Sequence, residues 1–167
     1  GRNTYLRGTH FGGDYPLNGI PDCGSAYWDK IMETVKTWGM NFIRCHSYCP
    51  PEAAFEAADR AGVYLQIECD MWNVFAPDAQ MNNVLWEETK RILDTFGNHP
   101  SFLMLSPSNE PGGDWLMPLT DWVSKCRAYD SRHLYTIQSG WPYPMEPDKI
   151  TGTDYVYFHR SGFGIQP

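Results

Sequence analysis

The chain alternates short apolar runs with amphipathic stretches, and no other feature restricts its fold as strongly. Strand-length apolar runs occur at residues 4–6, 41–44, 63–67, 102–105, 133–137 and 154–158. Helical periodicity separates the first five runs, whereas a Pro-rich segment with at most one short helix precedes the sixth. Strands that alternate with helices at this rate form parallel βα units, so the sequence predicts an α/β fold.

The helical stretches carry their own start and stop signals. Residues 28–38 repeat apolar side chains at intervals of three and four, and Gly39 is placed to end that helix. Pro50-Pro51-Glu52 starts a second helix, because proline and acidic residues suit a first helical turn. Further helices are predicted at residues 82–96 and after residue 114.

Two closures of a parallel sheet fit this order: an open doubly wound sheet and an eight-stranded barrel. A doubly wound fold usually has a glycine-rich phosphate loop after its first strand, but Arg7-Gly8-Thr9-His10 stands there without G-x-G-x-x-G. Six units already occupy 167 residues, and eight would need roughly 220–250. We therefore predict a (β/α)8 TIM barrel that is incomplete here, with about six of its eight βα units. Residues 1–167 then form one partial catalytic domain, truncated at both ends relative to its parent protein.

Composition argues against several classes of partner. The formal net charge of −7 disfavours nucleic acid and anionic membrane, because both attract basic surfaces. No run of 18 apolar residues is present to span a bilayer. Five cysteines cannot all pair, and Cys45 and Cys49 have no companions at zinc-site spacing. We therefore expect neither a metal site nor a cofactor.

Polar and aromatic side chains gather where the predicted strands end. In a parallel barrel these ends meet at one face, where such folds carry their chemistry. Asn109 and Glu110 close the buried run at residues 102–105, and Pro111 prevents the strand from continuing. The same rule selects the other candidates for substrate contact, which are His10, Arg44, His46, Glu68, Trp72, Trp141, Tyr157 and His159.

Carboxylates, an amide and aromatic rings fit the cleavage of a glycosidic bond. That reaction needs one carboxylic acid to protonate the leaving oxygen and a second carboxylate across the bond. Glu110 is the candidate acid, Asn109 could bind a sugar hydroxyl, and tryptophan rings of the strand-end loops could stack on a sugar. Arg44 is placed to hold a neighbouring carboxylate in its ionised form.

Several stretches also resemble glycoside hydrolase family 2, which contains β-galactosidases, β-glucuronidases and β-mannosidases. Asn98-His99-Pro100-Ser101, a strand, and then Ser108-Asn109-Glu110 resemble the acid/base segment of that family. The resemblance runs from residue 1 to about residue 158, across the first six strands of the family's barrel. The other matching stretches, in the same order as in the family, are Leu6-Arg7-Gly8, Trp38-Gly39-Met40-Asn41-Phe42-Ile43-Arg44, Asp59-Arg60-Ala61-Gly62-Val63-Tyr64 and Asp130-Ser131-Arg132.

The resemblance implies a retaining hydrolase that cleaves a β-linked glycoside by double displacement. It makes Glu110 the general acid/base and places Asn109 against the 2-hydroxyl of the sugar. The family's nucleophile is a Glu that ends the seventh strand, which we expect beyond residue 167. The implied partners are an oligosaccharide or polysaccharide substrate, the rest of the parent chain and, in a homo-oligomer, further copies of it. Breakdown of such substrates is compatible with secretion or a periplasmic location.

Two other interpretations remain open from the sequence. The barrel could bind carbohydrate without cleaving it, because the seventh strand and its nucleophile are absent from these residues. Alternatively, Glu68 and Glu110 could form the catalytic pair, since they end adjacent strands and their separation would set the stereochemical outcome. A six-stranded barrel also leaves two edges unpaired, so we expect the isolated chain to be insoluble, oligomeric or completed by other protein.

Overall fold

The computed structural model describes residues 3–140 and 152–156, which form an α/β fold. Each predicted helix is present and lies within a few residues of its expected bounds. In chain order the elements are β1 (Gly8–Phe11), α1 (Ser25–Thr37), β2 (Phe42–Cys45), α2 (Glu52–Ala61), β3 (Tyr64–Glu68), β4 (Val74–Phe75), α3 (Gln80–Phe96), β5 (Phe102–Ser106), β6 (Gly112–Gly113), α4 (Leu116–Tyr129) and β7 (Leu134–Tyr135).

The main sheet has five strands in the order β1-β2-β3-β5-β7. All neighbouring strands run parallel, so that Ile43 of β2 lies opposite Leu65 of β3, and Leu65 lies opposite Phe102 of β5. The predicted parallel βα units are therefore confirmed. Strands β1 and β7 form the two edges of the described sheet, and closure into a barrel stays a prediction.

Side chains alternate between the two faces of the sheet, which separates the core from the site. Along β3, Leu65 and Ile67 are buried in the hydrophobic core, whereas Gln66 and Glu68 share the opposite face and hydrogen-bond to each other. The helices supply the other half of the core. Phe55 of α2 is fully buried and stacks on Phe96 of α3, with 4.5 Å between ring centroids.

The first strand begins four residues later than the sequence predicts, at Gly8 instead of Thr4. Asn41 explains the difference, because its Oδ1 accepts from the Arg7 N–H at 2.8 Å and its Nδ2 donates to Tyr5 O at 3.0 Å. The Asn41 side chain thus occupies backbone groups of Tyr5 and Arg7 that a ladder would otherwise use. Pairing with β2 starts at Gly8, and His10 consequently lies within the strand, opposite Arg44.

The last two predicted strands also differ from the structure. The run at residues 133–137 shortens to β7, and residues 154–156 have no strand pairing, while residues 157–158 lie outside the described part of the chain. Asp154 pairs with the edge of β7 in another way. Its N–H donates to Tyr135 O at 2.7 Å, and its Oδ2 accepts from the Tyr135 N–H at 2.9 Å.

A second parallel sheet of two strands joins the loops that follow β3 and β5. Strands β4 and β6 pair Val74 with Gly112 and Phe75 with Gly113. A Cβ at Gly113, where φ is +70°, would lie 2.5 Å from Phe75 O, so only glycine permits this approach. The small sheet ties the loop that carries Trp72 to the segment after Glu110.

The helix ends follow the sequence signals. Gly39 and Gly62 come after α1 and α2 with φ of +71° and +67°, the left-handed conformation that glycine adopts at helix ends. Within residues 3–140 and 152–156, no helix combines the length and apolar character needed to cross a bilayer.

Replacing Phe55 with Ala should cost about 3–5 kcal/mol of unfolding free energy, because it opens a cavity against Phe96 in a rigid core. Val84→Ala is the control: Val84 lies on α3 and is 47% exposed, so its truncation should change stability by less than about 0.5 kcal/mol. Denaturant unfolding of the full-length protein measures both. Equal losses in the two variants would contradict the packing described for α2 and α3.

Candidate active site

The carboxyl ends of β2, β3 and β5 bring together three residues that the sequence singles out. Arg44 lies in β2, Glu68 is the last residue of β3, and Asn109 follows β5. Arg44 Nε donates to Glu68 Oε1 at 2.5 Å, and Arg44 Nη2 donates to Asn109 Oδ1 at 2.7 Å. The prediction that Arg44 holds a carboxylate is confirmed, because the pair forms a salt bridge.

Glu68 is fully buried and accepts four hydrogen bonds. Its Oε1 accepts from Arg44, from Gln66 Nε2 at 3.0 Å and from Ser139 Oγ at 2.6 Å. Its Oε2 accepts from the Ser47 N–H at 2.8 Å. Both oxygens thus face protein donors, the arrangement that stabilises a carboxylate anion. This buried position differs from the one expected of a sugar ligand.

The orientation of the Asn109 amide follows from its neighbours. Because a guanidinium only donates, the amide atom that faces Arg44 must be the oxygen. Nδ2 is therefore turned the other way, and it is buried without a hydrogen-bond partner among the described residues. Asn109 therefore keeps an amide N–H group in the interior without a hydrogen-bond partner among the described residues.

Glu110 is half-buried and adopts φ of +44°, which is uncommon for a residue with a side chain. Its N–H donates to Ser139 O at 2.7 Å, which ties it to the segment after β7. Gly140 leaves room beside it, since a Cβ there would lie 2.7 Å from Glu110 Cγ and 2.5 Å from Asn109 Oδ1. Backbone geometry therefore fixes the direction in which this carboxyl group leaves the strand end.

Three other predicted residues form an aromatic row. The His10 and His46 ring centroids are 6.0 Å apart, and those of His46 and Trp72 are 5.5 Å apart. Ser47 Oγ lies 3.0 Å from His46 Nδ1 and restrains that ring. Trp72 is 61% exposed, so one of its faces is available to a ligand. The remaining predicted ligands, Trp141, Tyr157 and His159, lie outside the described residues.

The other histidines sit at the opposite end of the sheet, as the sequence predicts. His99 Nδ1 lies 2.7 Å from Asp59 Oδ2, and His133 Nδ1 lies 2.8 Å from Phe102 O. Burial lowers the pKa of His133, which favours its neutral form. Both rings connect parts of the fold through these contacts.

The cysteines near the site are unsuited to act as nucleophiles. Burial, assisted by the negative charge of Glu68, raises the pKa of Cys45 far above its ordinary value. Burial likewise raises the pKa of Cys69 to about 12. In the described part of the chain, no group of three or more His, Cys, Asp or Glu side chains is arranged to hold a metal ion.

Sequence reasoning missed several residues that shape the site. Gln66 is a polar residue within the apolar run of β3, and it lies on the same face of the strand as Glu68. A polar residue at such a position could have indicated a site residue. Ser47 has φ of +59°, which local sequence does not indicate. Ser139 and Gly140 lie between the predicted strand end and Trp141, and nothing in their composition separates them from an ordinary loop.

A parallel sheet with polar side chains at its carboxyl edge is the arrangement of α/β enzymes. Solved structures of glycoside hydrolase family 2 share this part of the fold. An FMN-binding β-glucuronidase from Faecalibacterium prausnitzii has a TM-score of 0.73 at 26% identity, over 81% of this chain and 22% of that protein. A β-glucuronidase from Bacteroides uniformis has a TM-score of 0.75 at 17% identity, over 87% of this chain and 19% of that protein.

A family 2 member from Bacteroides cellulosilyticus has a TM-score of 0.73 at 19% identity, over 87% of this chain and 20% of its own. No protein-family model and no curated protein sequence matches the chain. The resemblance to glycoside hydrolase family 2 is confirmed by these structures. The chain spans about a fifth of the length of the proteins it matches.

Replacing Glu68 with Gln should destabilise the protein by about 3 kcal/mol, because it leaves the Arg44 guanidinium, 17% exposed, without its anion. Asp29→Asn is the control, since it breaks an ion pair with Arg60 in which both side chains are 52% exposed, and it should have little effect. Thermal unfolding of the full-length protein compares them. Similar shifts in both variants would argue against a buried charge pair.

Replacing Gly140 with Ala should abolish activity of the full-length protein, because the added Cβ displaces Asn109 and Glu110. Gly39→Ala serves as the control. Gly39 has a comparable positive φ with nothing within 4 Å of its Cβ position, so it carries only a strain of about 1 kcal/mol. Steady-state kinetics should separate the two variants, and full activity in Gly140→Ala would rule out the close approach.

Proposed function

We propose that this chain is the partial catalytic domain of a retaining glycoside hydrolase that cleaves a β-linked glycoside by double displacement. The observation that carries the proposal is the half-buried Glu110 beside Asn109, at the carboxyl end of a buried parallel strand. Two of the neighbouring structures named above are β-glucuronidases. Another, Bacteroides uniformis β-glucuronidase 2, is covalently bound to cyclophellitol-6-carboxylate aziridine, and a covalent step is what double displacement requires.

Glu110 acts twice in this mechanism. It first donates its proton to the glycosidic oxygen while the nucleophile attacks the anomeric carbon and forms a glycosyl-enzyme intermediate. It then takes a proton from the water that hydrolyses this intermediate, which returns the site to its starting state. By the resemblance to family 2, the nucleophile is a Glu of the seventh strand, beyond residue 167.

The other site residues bind and orient the sugar. Asn109 donates its Nδ2 hydrogen to the oxygen of the sugar 2-hydroxyl, because its Oδ1 already accepts from Arg44. His10, His46 and Trp72 line the sugar as an aromatic row. The same function is proposed for Trp141, Tyr157 and His159. Arg44 and the buried Glu68 hold Asn109 in place.

The two alternative readings of the site are less well supported. Catalysis by Glu68 and Glu110 as a pair would need a free carboxylate oxygen on Glu68, but both of its oxygens accept hydrogen bonds and the residue is fully buried. A carbohydrate-binding protein without catalysis would not need a carboxyl group in the unusual backbone conformation of Glu110.

Replacing Glu110 with Gln in the full-length protein should lower turnover of aryl β-glycosides with poor leaving groups by about 10²–10⁴-fold, the usual contribution of a general acid. The loss should be smaller when the leaving group departs without a proton. Asp114→Asn is the control, because Asp114 is an exposed carboxylate in the same loop and its N–H donates to Phe75 O.

Unchanged turnover in Glu110→Gln would show that this residue is not the acid. If the unaltered protein binds oligosaccharides by calorimetry but releases no reducing sugar, the binding interpretation replaces the catalytic one. Selective loss on poor leaving groups supports the proposal, and Asp114→Asn should retain the full rate on both kinds of substrate.

A further inference from the structure

Ser139 is a buried hydroxyl residue that the proposed mechanism leaves without a role. It follows β7, is fully buried and lies opposite Asn109 in a parallel bridge. Its Oγ is 2.6 Å from Glu68 Oε1 and 2.7 Å from Ser106 Oγ. Three polar side chains thus meet in the interior, where an unsatisfied group would be costly.

The single proton of the Ser139 hydroxyl determines how these groups bond. The strongest acceptor within reach is the Glu68 carboxylate, so the proton is directed there. Ser106 Oγ, which donates its own hydrogen to Ser108 O, lies 2.7 Å from the Ser139 oxygen. Ser139, which follows β7, therefore donates a hydrogen bond to Glu68 Oε1 from that edge of the sheet.

The position of Glu68 affects that of Asn109 through Arg44, which hydrogen-bonds to both residues. The guanidinium donates from Nε to Glu68 Oε1 and from Nη2 to Asn109 Oδ1, so one planar group spans both residues. A carboxylate that shifts will move the guanidinium with it. The hydroxyl of Ser139 thereby influences the amide although it does not contact the amide itself.

The backbone of Ser139 is bonded to the same segment. Its N–H donates to Ser108 O at 2.9 Å, and its carbonyl accepts from the Glu110 N–H at 2.7 Å. Backbone and side chain of one residue thus connect to both sides of Asn109. This double attachment distinguishes Ser139 from Ser106, whose hydroxyl contacts Ser139 and Ser108 O.

We propose that Ser139 is a positioning residue whose hydroxyl, through Glu68 and Arg44, fixes the Asn109 amide so that its N–H faces the sugar hydroxyl oxygen beside the bond that is cleaved. This inference rests on the proposed function, in which Asn109 binds the sugar 2-hydroxyl. A purely structural hydroxyl would stabilise the fold and affect all substrates alike.

The test uses two substrates and two variants of the full-length protein. The substrates are a 4-nitrophenyl β-glycoside of the sugar that is cleaved fastest and the same compound without its 2-hydroxyl. Ser139→Ala should lower kcat/KM about tenfold on the first substrate, the effect of one misplaced hydrogen bond, and less than twofold on the second. Ser106→Ala removes a neighbouring buried hydroxyl that does not touch Glu68, and it should affect both substrates equally.

Loss of the same size on both substrates in Ser139→Ala would overturn the proposal, because the hydroxyl would then act on stability alone. If Ser139→Ala does not fold, Ser139→Cys keeps the volume and a weaker donor. It should show the same selectivity for the 2-hydroxyl at a smaller size, and equal effects on both substrates would again overturn the inference.

The test of Ser139 can fail independently of the test of the proposed function. If Glu110→Gln is inactive on poor leaving groups while Ser139→Ala is unselective, only the positioning role fails. If Glu110→Gln is fully active, the acid assignment fails, and a selective loss in Ser139→Ala would still place Asn109 at the 2-hydroxyl.

Discussion

The ion pair between Arg44 and Glu68 is the interaction on which the arrangement of the site depends. A buried carboxylate is costly to remove from water, and the cost is offset only when charges and donors surround it. The guanidinium, a backbone N–H, an amide and a hydroxyl all converge on Glu68. These donors come from β2, the turn after it, β3 and the segment after β7. Satisfying one carboxylate therefore fixes the relative positions of separate strand ends, and Asn109 takes its orientation from the same guanidinium.

Much of the fold was predictable because its determinants are local. Helix periodicity and end signals placed the helices, and Gly39 and Gly62 end their helices as expected. The predicted position of the first strand was wrong because it depends on a distant side chain. Asn41 hydrogen-bonds to the backbone of Tyr5 and Arg7, and ladder pairing starts at Gly8. The small sheet of β4 and β6 was not predicted either. It contains two pairs of residues and depends on the absence of a Cβ at Gly113, which no periodic pattern records.

The site was predictable to the extent that strand ends determine it. That rule brought Arg44, Glu68 and Asn109 to one place, and the structure joins them by hydrogen bonds. The strand-end rule does not indicate which of the two carboxylates is buried, because burial depends on hydrogen-bond donors from four separate segments. Sequence order places both Glu68 and Glu110 at strand ends, whereas the fold encloses the first and leaves the second half-buried. Ser139 escaped notice because its partners are more than thirty residues away along the chain.

The two carboxyl groups of the site have different surroundings. Glu110 is partly exposed, as its proposed proton exchange with a substrate requires. A group that orients a neighbour must itself be held in place, and both oxygens of Glu68 accept hydrogen bonds. With Arg44 held by Glu68, the Asn109 amide turns its oxygen toward the guanidinium and its Nδ2 away from it. The buried Glu68 thus orients Asn109 through the Arg44 guanidinium without a hydrogen bond of its own to that amide.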